Sequence, residues 1–445
     1  MGSAYTIGVV GLWHLGEVYS ACLAEIGHTV IGLSDDAALI ENFKKNVPPL
    51  AEPRLAELLT ANQASGKLSF STDFSKMKDC NVVWFTHDVP TDENDEVDVS
   101  GVLEAVRNAA QYFTNGVTVA VSSQLPVGTS AKIVAVITSA RPDLQFEYFY
   151  SPENLRLGDA VKCFLEPNRI VVGANTPAAH AIAEEIFAPL HAEIVRMSPA
   201  SAEMAKHALN AWLATSIGFA NDLADVCEKV GADVEDVIKA LKSEPRVGEK
   251  AYLFAGLGFA GWSIARDLKA LMVVAGEKHI ELPIIAGAYA KNRARTGIVL
   301  ARLHGRYGDI KGKTFAVFGV TYKAGTPTLR HSQSLQIEAQ LWAAGATVRL
   351  YDPLAKADDV AAITPAPFFN DPYEAAHGTD GVLVLVPDVK LRELDFKKIA
   401  SVMQTPFLFD AQNILIPKEG DIHAAGIEYS SIGRPVPLEV GGQRR

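Results

Sequence analysis

The sequence predicts an α/β protein with two doubly wound, parallel-sheet domains joined by a helical middle section. Three observations carry this reading. β-Branched runs alternate with helical patterns from Tyr5 to Gly173. Near Ser198 the alternation stops, and apolar positions recur at helical spacing with no strand signal. At Thr314 the alternation resumes. Alternating strands and helices place helices on both faces of a parallel sheet, whereas 3.6-residue periodicity alone packs as helices. The expected domains are therefore residues 1–197, Rossmann-like; 198–305, helical; and 306–445, again Rossmann-like.

Taken in order, residues 5–10 (YTIGVV) read as a strand, and Val18–Ile26 as a helix ended by Gly27. Thr29–Leu33 returns as a strand, completing a βαβ unit at the start of the chain. Further strands are expected at 81–86, 117–122 and 169–173. Residues 200–230 and Ala265–Leu303 carry two long helical patterns. Thr314–Val320 is a strand, followed by a helix to Ala344, a strand ending at Arg349–Tyr351, and strands at Gly381–Val386 and Pro406–Asp410.

With 445 residues, 48% hydrophobic and 21% charged, the chain can bury several sizeable cores. A net charge of −11 argues against a nucleic-acid binder, because backbone affinity needs clustered Lys and Arg. No apolar run reaches the roughly 18–20 residues of a membrane span. The N-terminus enters a strand with no basic region, so no secretory leader is expected. The four cysteines (Cys22, Cys80, Cys163, Cys227) are scattered without metal-ligand spacing, which suggests a reducing cytoplasm and no metal site. The acidic run Asp92–Asp98 reads as a solvated loop. His14, His87, His207 and His331 read first as structural polar groups.

Between the first strand and helix stands G-L-W-H-L-G, residues 11–16. Gly11 permits the tight turn, Gly16 permits close helix–strand approach, and the helix N-terminus offers N–H donors to a pyrophosphate. Trp13, His14 and Leu15 complete the candidate turn, with Trp13 where such fingerprints carry a middle glycine. After the second strand, Ser34 takes the position of the ribose-binding acid, with Asp35 and Asp36 beside it. No arginine follows to meet a 2′-phosphate, which favours NAD over NADP.

The most informative stretch is GLGFAGWSIARD, residues 256–267. It resembles the active-site loop G-x-G-F-G-G-S-C-F-P-K-D of the UDP-glucose/GDP-mannose (nucleotide-sugar) dehydrogenases. Gly256, Gly258, Phe259, Gly261 and Asp267 match, and Ser263 stands at the cysteine. Residues 202–222 resemble the family segment carrying Lys206 and Asn210, four apart and so on one helical face. SPENLRLGDAVKCFLEPNRIVVG (151–173) resembles the segment with the catalytic glutamate, here Glu153; a second glutamate is Leu157. VSSQLPVGT (121–129) resembles S-T-V-P-V-G-T, with Gln124 at the threonine. Arg246-Val247-Gly248 and Tyr252-Leu253 resemble R-x-G…F-L, and TYKAGTPTLRHS resembles F-K…R-x-S through Tyr322, Lys323 and Arg330.

The resemblance spans nearly the whole chain, from Gly11 through Glu52-Pro53 to the GRP at 433–435. It implies two successive NAD-dependent oxidations of a nucleotide-hexose carbon-6 alcohol. It implies Lys206 and Asn210 as oxyanion donors and Asp267 with a water as base. Arg246, Tyr252, Leu253, Gly258, Phe259, Gly261, Tyr322 and Lys323 would hold the substrate, with Arg246 reaching a neighbouring subunit and Arg330 coming near the cofactor. The acid-forming step needs a thiol nucleophile, and serine is a weak one without an adjacent base. Ser263 and Gln124 both fall on that step. The sequence leaves four outcomes open: arrest at the aldehyde, full oxidation through the aldehyde hydrate, a redox-neutral epimerase, or an inactive nucleotide-sugar binder. A six-phosphogluconate or hydroxyacid type of dehydrogenase would share the three-part layout, but the 256–267 loop and Lys323–Arg330 speak against it. A homodimer through the central helices is expected.

Overall fold

The computed structural model describes residues 4–90, 97–261 and 263–435. Most of the acidic run lies outside them. The chain forms two compact units, Met1–Leu209 with Lys269–His279, and Asn210–Leu268 with Ile280–Arg445.

In the first unit the strands are β1 (Thr6–Val10), β2 (Thr29–Leu33), β3 (Leu68–Ser71), β4 (Val82–Phe85), β5 (Val117–Val121), β6 (Phe146–Tyr150), β7 (Arg169–Ala174) and β8 (Glu193–Met197). They form one sheet in the order β3-β2-β1-β4-β5-β6-β7-β8. Its order reverses between β1 and β4, the switch point where such sheets take ligands. β7 pairs with β6 antiparallel, so the last two strands run against the rest of an otherwise parallel sheet. Strands β4 and β5 are buried along their full length, as a sheet covered on both faces requires. Trp84 on β4 is fully buried and meets Tyr19, Phe149 and Phe187 edge-to-face, at 5.4, 5.3 and 5.7 Å.

The second unit holds β9 (Thr314–Phe318), β10 (Thr347–Tyr351), β11 (Phe368–Phe369), β12 (Gly381–Val384), β13 (Phe407–Asp410) and β14 (Glu428–Ser431), all parallel. Their order is β11-β10-β9-β12-β13-β14. β3, β6, β8, β11 and β14 escape the sequence reading; they are short runs near sheet edges or interrupted by polar residues.

The first long helical pattern is one helix, Pro199–Val230. The second is not continuous. It divides into Ser263–Glu277, Pro283–Ala294 and Gly297–Tyr307. His279 adopts a left-handed φ of 58° and Pro283 opens the next helix, where its missing N–H is harmless. No helix among the described residues is long and apolar enough to cross a membrane.

Candidate functional site

The first-unit turn 11–16 is built for close approach. Gly11 has φ +97°, and a β-carbon there would come within 2.8 Å of the His87 backbone nitrogen. One on Gly16 would lie 2.1 Å from the Gly11 carbonyl oxygen. Helix His14–Glu25 follows with Trp13 at its N-cap and no side-chain cap. Its first-turn N–H groups thus have no competing side-chain acceptor at the cap, the condition a pyrophosphate needs. Trp13 is 48% exposed. Leu15 is buried, whereas His14 donates through Nε2 to the Glu52 carboxylate at 2.8 Å.

At the end of β2, the Ser34 hydroxyl accepts the Asp36 N–H at 3.2 Å, and Asp36 caps helix Ala37–Lys44 through the Leu39 N–H at 3.0 Å. Asp36 is thereby occupied structurally, while Asp35 is exposed and carries the charge a ribose would meet. Burial pushes His87, against Gly11, down to about 4, and the Asp35 charge offsets this only in part. The imidazole is therefore neutral at physiological pH. These features fit a dinucleotide with a free 2′-hydroxyl.

Glu153 is the second focus. Gln124 Nε2 donates to its Oε1, the Leu155 N–H donates to Oε2 at 2.8 Å, and Lys206 Nζ lies 3.3 Å from Oε1. Lys206 also donates to the Glu153 carbonyl oxygen at 2.7 Å. The carboxylate accepts only, so the Gln124 amide must present nitrogen to it; its own Oε1 is buried with no hydrogen-bond partner. The Pro199–Val230 helix holds the neighbouring 125–130 segment through two further side chains. Glu203 accepts the Gly128 and Ser130 N–H groups at 2.6 Å each, and His207 Nε2 lies 2.9 Å from the Leu125 carbonyl.

The second unit gathers the other candidates. Asn210 donates to the Asp267 carboxylate, both side chains being buried, and Arg266 Nε lies 3.7 Å from Asp267. Ser263 opens its helix and is half-buried. Loop 256–261 is held almost entirely through its backbone. Asn221 accepts the Gly256 N–H at 3.0 Å, and Arg295 Nε donates to the Gly256 carbonyl at 3.0 Å. Asn292 pairs with both the N–H and the carbonyl of Phe259, at 2.8 and 3.0 Å. Gly258 has φ +91°, and Gly261, φ +80°, lies against the Tyr322 ring. Lys323 Nζ sits 5.6 Å from the centre of that ring.

Arg330 is exposed. Arg246 is exposed as well, paired with Glu244 at 2.8 Å. Tyr252 is 45% exposed, with its ring edge-on to Phe254. Leu253, by contrast, is buried in the second unit's core.

The two parallel sheets part company at their second strands. Asp352, just after β10, accepts the N–H groups of Val320 and Thr321 at 2.8 and 3.1 Å and the Thr321 hydroxyl at 3.0 Å. That acid is folded back onto its own β9 loop, whereas Asp35 points outward.

Sequence reasoning named Glu52 only as part of the resemblance, without a role, and missed Glu17, Asn292 and Arg295. Asn292 and Arg295 carry no local motif and lie over thirty residues from the loop they hold.

Known proteins bear the same organisation. Family models of the UDP-glucose/GDP-mannose dehydrogenase family match in three parts: the NAD binding domain at residues 5–191, the central domain at 200–294, and the UDP binding domain at 316–417. UDP-glucose 6-dehydrogenase of Rhizobium meliloti is 33% identical over 440 residues, covering 96% of this chain and 99% of that one. UDP-glucose 6-dehydrogenase TuaD of Bacillus subtilis is 32% identical over 432 residues, covering 96% and 93%. Among solved structures, a UDP-glucose dehydrogenase from Pyrobaculum islandicum shares the fold with TM-score 0.86 at 24% identity, covering 96% of this chain and 98% of that one. The chain belongs to the UDP-glucose/GDP-mannose dehydrogenase family, NAD-dependent oxidoreductases that act on nucleotide sugars.

Proposed function

We propose that this enzyme oxidises carbon-6 of a nucleotide hexose, UDP-linked by preference, and releases the aldehyde because the acid-forming half of the reaction is disabled. The carrying observation is the Gln124–Glu153–Lys206 arrangement. Both Glu153 oxygens are engaged, one by Gln124 and Lys206 and the other by the Leu155 N–H, which leaves little of the carboxylate to draw a water forward. Ser263 supplies a hydroxyl where the family resemblance calls for a thiol. Cys163 does not replace it: burial and the nearby Asp159 push its thiol up, away from the reactive thiolate.

A nicotinamide cofactor supplies the hydride acceptor. Turn 11–16, with Asp35, holds it. Asp267, with a water, takes the hydroxyl proton, and Lys206 and Asn210 donate to the developing oxyanion. Gly258, Phe259 and Gly261 present backbone to the sugar, while Tyr322, Lys323, Arg246 and Tyr252 serve the nucleotide diphosphate. Arg330 supports the cofactor side.

The family relation of the UDP binding domain supports a uridine nucleotide. The reading includes a cytoplasmic role in supplying activated sugars for polysaccharide assembly. A homodimer is supported by an apolar stripe on the long helix, where Trp212, Phe219, Val226 and Val230 are 66, 48, 57 and 70% exposed at heptad-like spacing.

Incubation of the enzyme with NAD+ and a panel of nucleotide sugars, counting NADH per sugar consumed, tests this. One equivalent is expected, with aldehyde trapped by a hydrazine. The double variant Ser263→Cys with Gln124→Thr should yield two equivalents and a uronate. Two equivalents from the unaltered enzyme would overturn the arrest, and none with any sugar would overturn the activity.

A further inference from the structure

The first unit contains a buried carboxylate that belongs to neither motif and touches both. Glu52 lies between helices Ala37–Lys44 and Leu55–Ala64, with its side chain fully enclosed. Its Oε1 meets His14 Nε2 at 2.8 Å and accepts the Gly158 N–H at 2.7 Å; its Oε2 accepts the Ala160 N–H at 3.2 Å. Burial would raise its pKa, but these donors outweigh burial and hold it below the ordinary carboxylate range. Glu52 is thus an anion in the interior.

Its donors come from two places with different jobs. His14 is the first residue of the helix that presents N–H groups to the pyrophosphate. Gly158 and Ala160 close the segment that begins at Ser151 and carries Glu153, held in turn by Gln124 and Lys206. A single oxygen serves the imidazole and the Gly158 amide together, so a shift of either donor alters the bond to the other.

We propose that Glu52 is a positioning residue that couples the cofactor turn to the Glu153 loop, so that seating NAD on residues 11–16 orders residues 151–160. By reciprocity, a substrate that fixes this loop tightens cofactor binding. That second half rests on the nucleotide-sugar reading above; the first half does not. A carboxylate satisfies all three donors, whereas in Glu52→Gln the amide nitrogen stands against either the Ala160 N–H or the His14 and Gly158 donors together, so the Gly158–Ala160 segment loses part of its hold in either orientation.

The test uses the full chain and two readouts other than turnover. Hydrogen–deuterium exchange is followed with and without NAD+, and NAD+ affinity is measured by calorimetry with and without UDP-glucose. In the unaltered protein, NAD+ should slow exchange at 11–16 and at 151–160, and UDP-glucose should tighten NAD+ binding by about fivefold or more. In Glu52→Gln, NAD+ should still protect 11–16 but not 151–160, and the enhancement should fall toward one. His14→Phe removes the imidazole donor and leaves Glu52 bonded to both amides. It should give the same uncoupling if Glu52→Gln does not fold. Protection of 151–160 that persists in either folded variant, or that is missing from the unaltered protein, overturns the proposal. If NAD+ protects 151–160 as expected but UDP-glucose does not bind, the substrate reading fails and the tie stands.

Discussion

Glu17 offers a quantitative test of how the cofactor turn is built. It follows Gly16 in the first turn of helix His14–Glu25, is fully buried, and neither carboxyl oxygen has a hydrogen-bond partner. Burial pushes its pKa from the ordinary 4.5 up to about 9; the Leu50 N–H opposes this, short of hydrogen-bond geometry, and the Glu52 charge adds to it. Folded protein therefore keeps this proton over a range in which unfolded chain has lost it. The folded pKa is the higher one, so stability is fully present below 4.5, falls as pH rises, and levels off above 9. From 4.5 to pH 7 is about 2.5 units, at about 1.4 kcal/mol each, or roughly 3 kcal/mol lost at neutrality. Glu17→Gln mimics the protonated form and does not titrate. Its advantage over the unaltered protein should be near zero at pH 4.5 and roughly 3 kcal/mol at pH 7, or about 6–12 °C in Tm for a unit of this size. Scanning calorimetry between pH 5 and 9, on the transition that NAD+ shifts, measures it. An advantage that does not grow with pH would refute a buried, neutral Glu17.

Two further outcomes follow from packing. Gly258→Ala puts a β-carbon 2.1 Å from the Asn292 oxygen that accepts the Phe259 N–H, on a backbone with φ +91°. It should cost about 1–3 kcal/mol and lower kcat/KM at least tenfold, whereas Gly101→Ala, with open space around it, should be silent in melts and steady-state kinetics. Replacing Trp212 and Phe219 together by Glu should shift sedimentation toward monomer at micromolar concentration, and an unchanged profile would exclude the long helix as the seam.

Much of the fold is legible in the chain because its signals are local. β1, β4 and β5 are apolar runs bounded by turn residues, and helix Pro199–Val230 keeps one periodicity throughout. The second helical pattern misleads because periodicity survives across breaks. The left-handed turn at His279 with the Pro283 start makes the first break, and Arg295–Thr296, neither of them glycine or proline, makes the second. The antiparallel β6–β7 junction is equally silent, since strand direction leaves no mark on composition. In the candidate site, the glycines at 11, 16, 258 and 261 are visible as needs of the backbone. The holders of loop 256–261, Asn292 and Arg295, are not, because a helix position and a helix C-cap without any motif carry them.

Sequence alone determined the alternating layout, the two glycine-rich loops, the order of Gln124, Glu153, Lys206, Asn210, Ser263 and Asp267, and so the family. The layout and the loops depend on periodicity and backbone sterics, which act over a few residues, while the residue order and the family rest on the resemblance of the motifs. Tertiary structure decided which acids do what. Asp36 becomes a helix cap, Asp352 folds onto its own loop, Asp35 remains outward, Glu52 is an anion bonded to an amide 106 residues away, and Glu17 is neutral. By sequence all are carboxylates near a loop. Their charge and partners are set by desolvation and by donors brought from distant segments, and those exist only once the chain is folded.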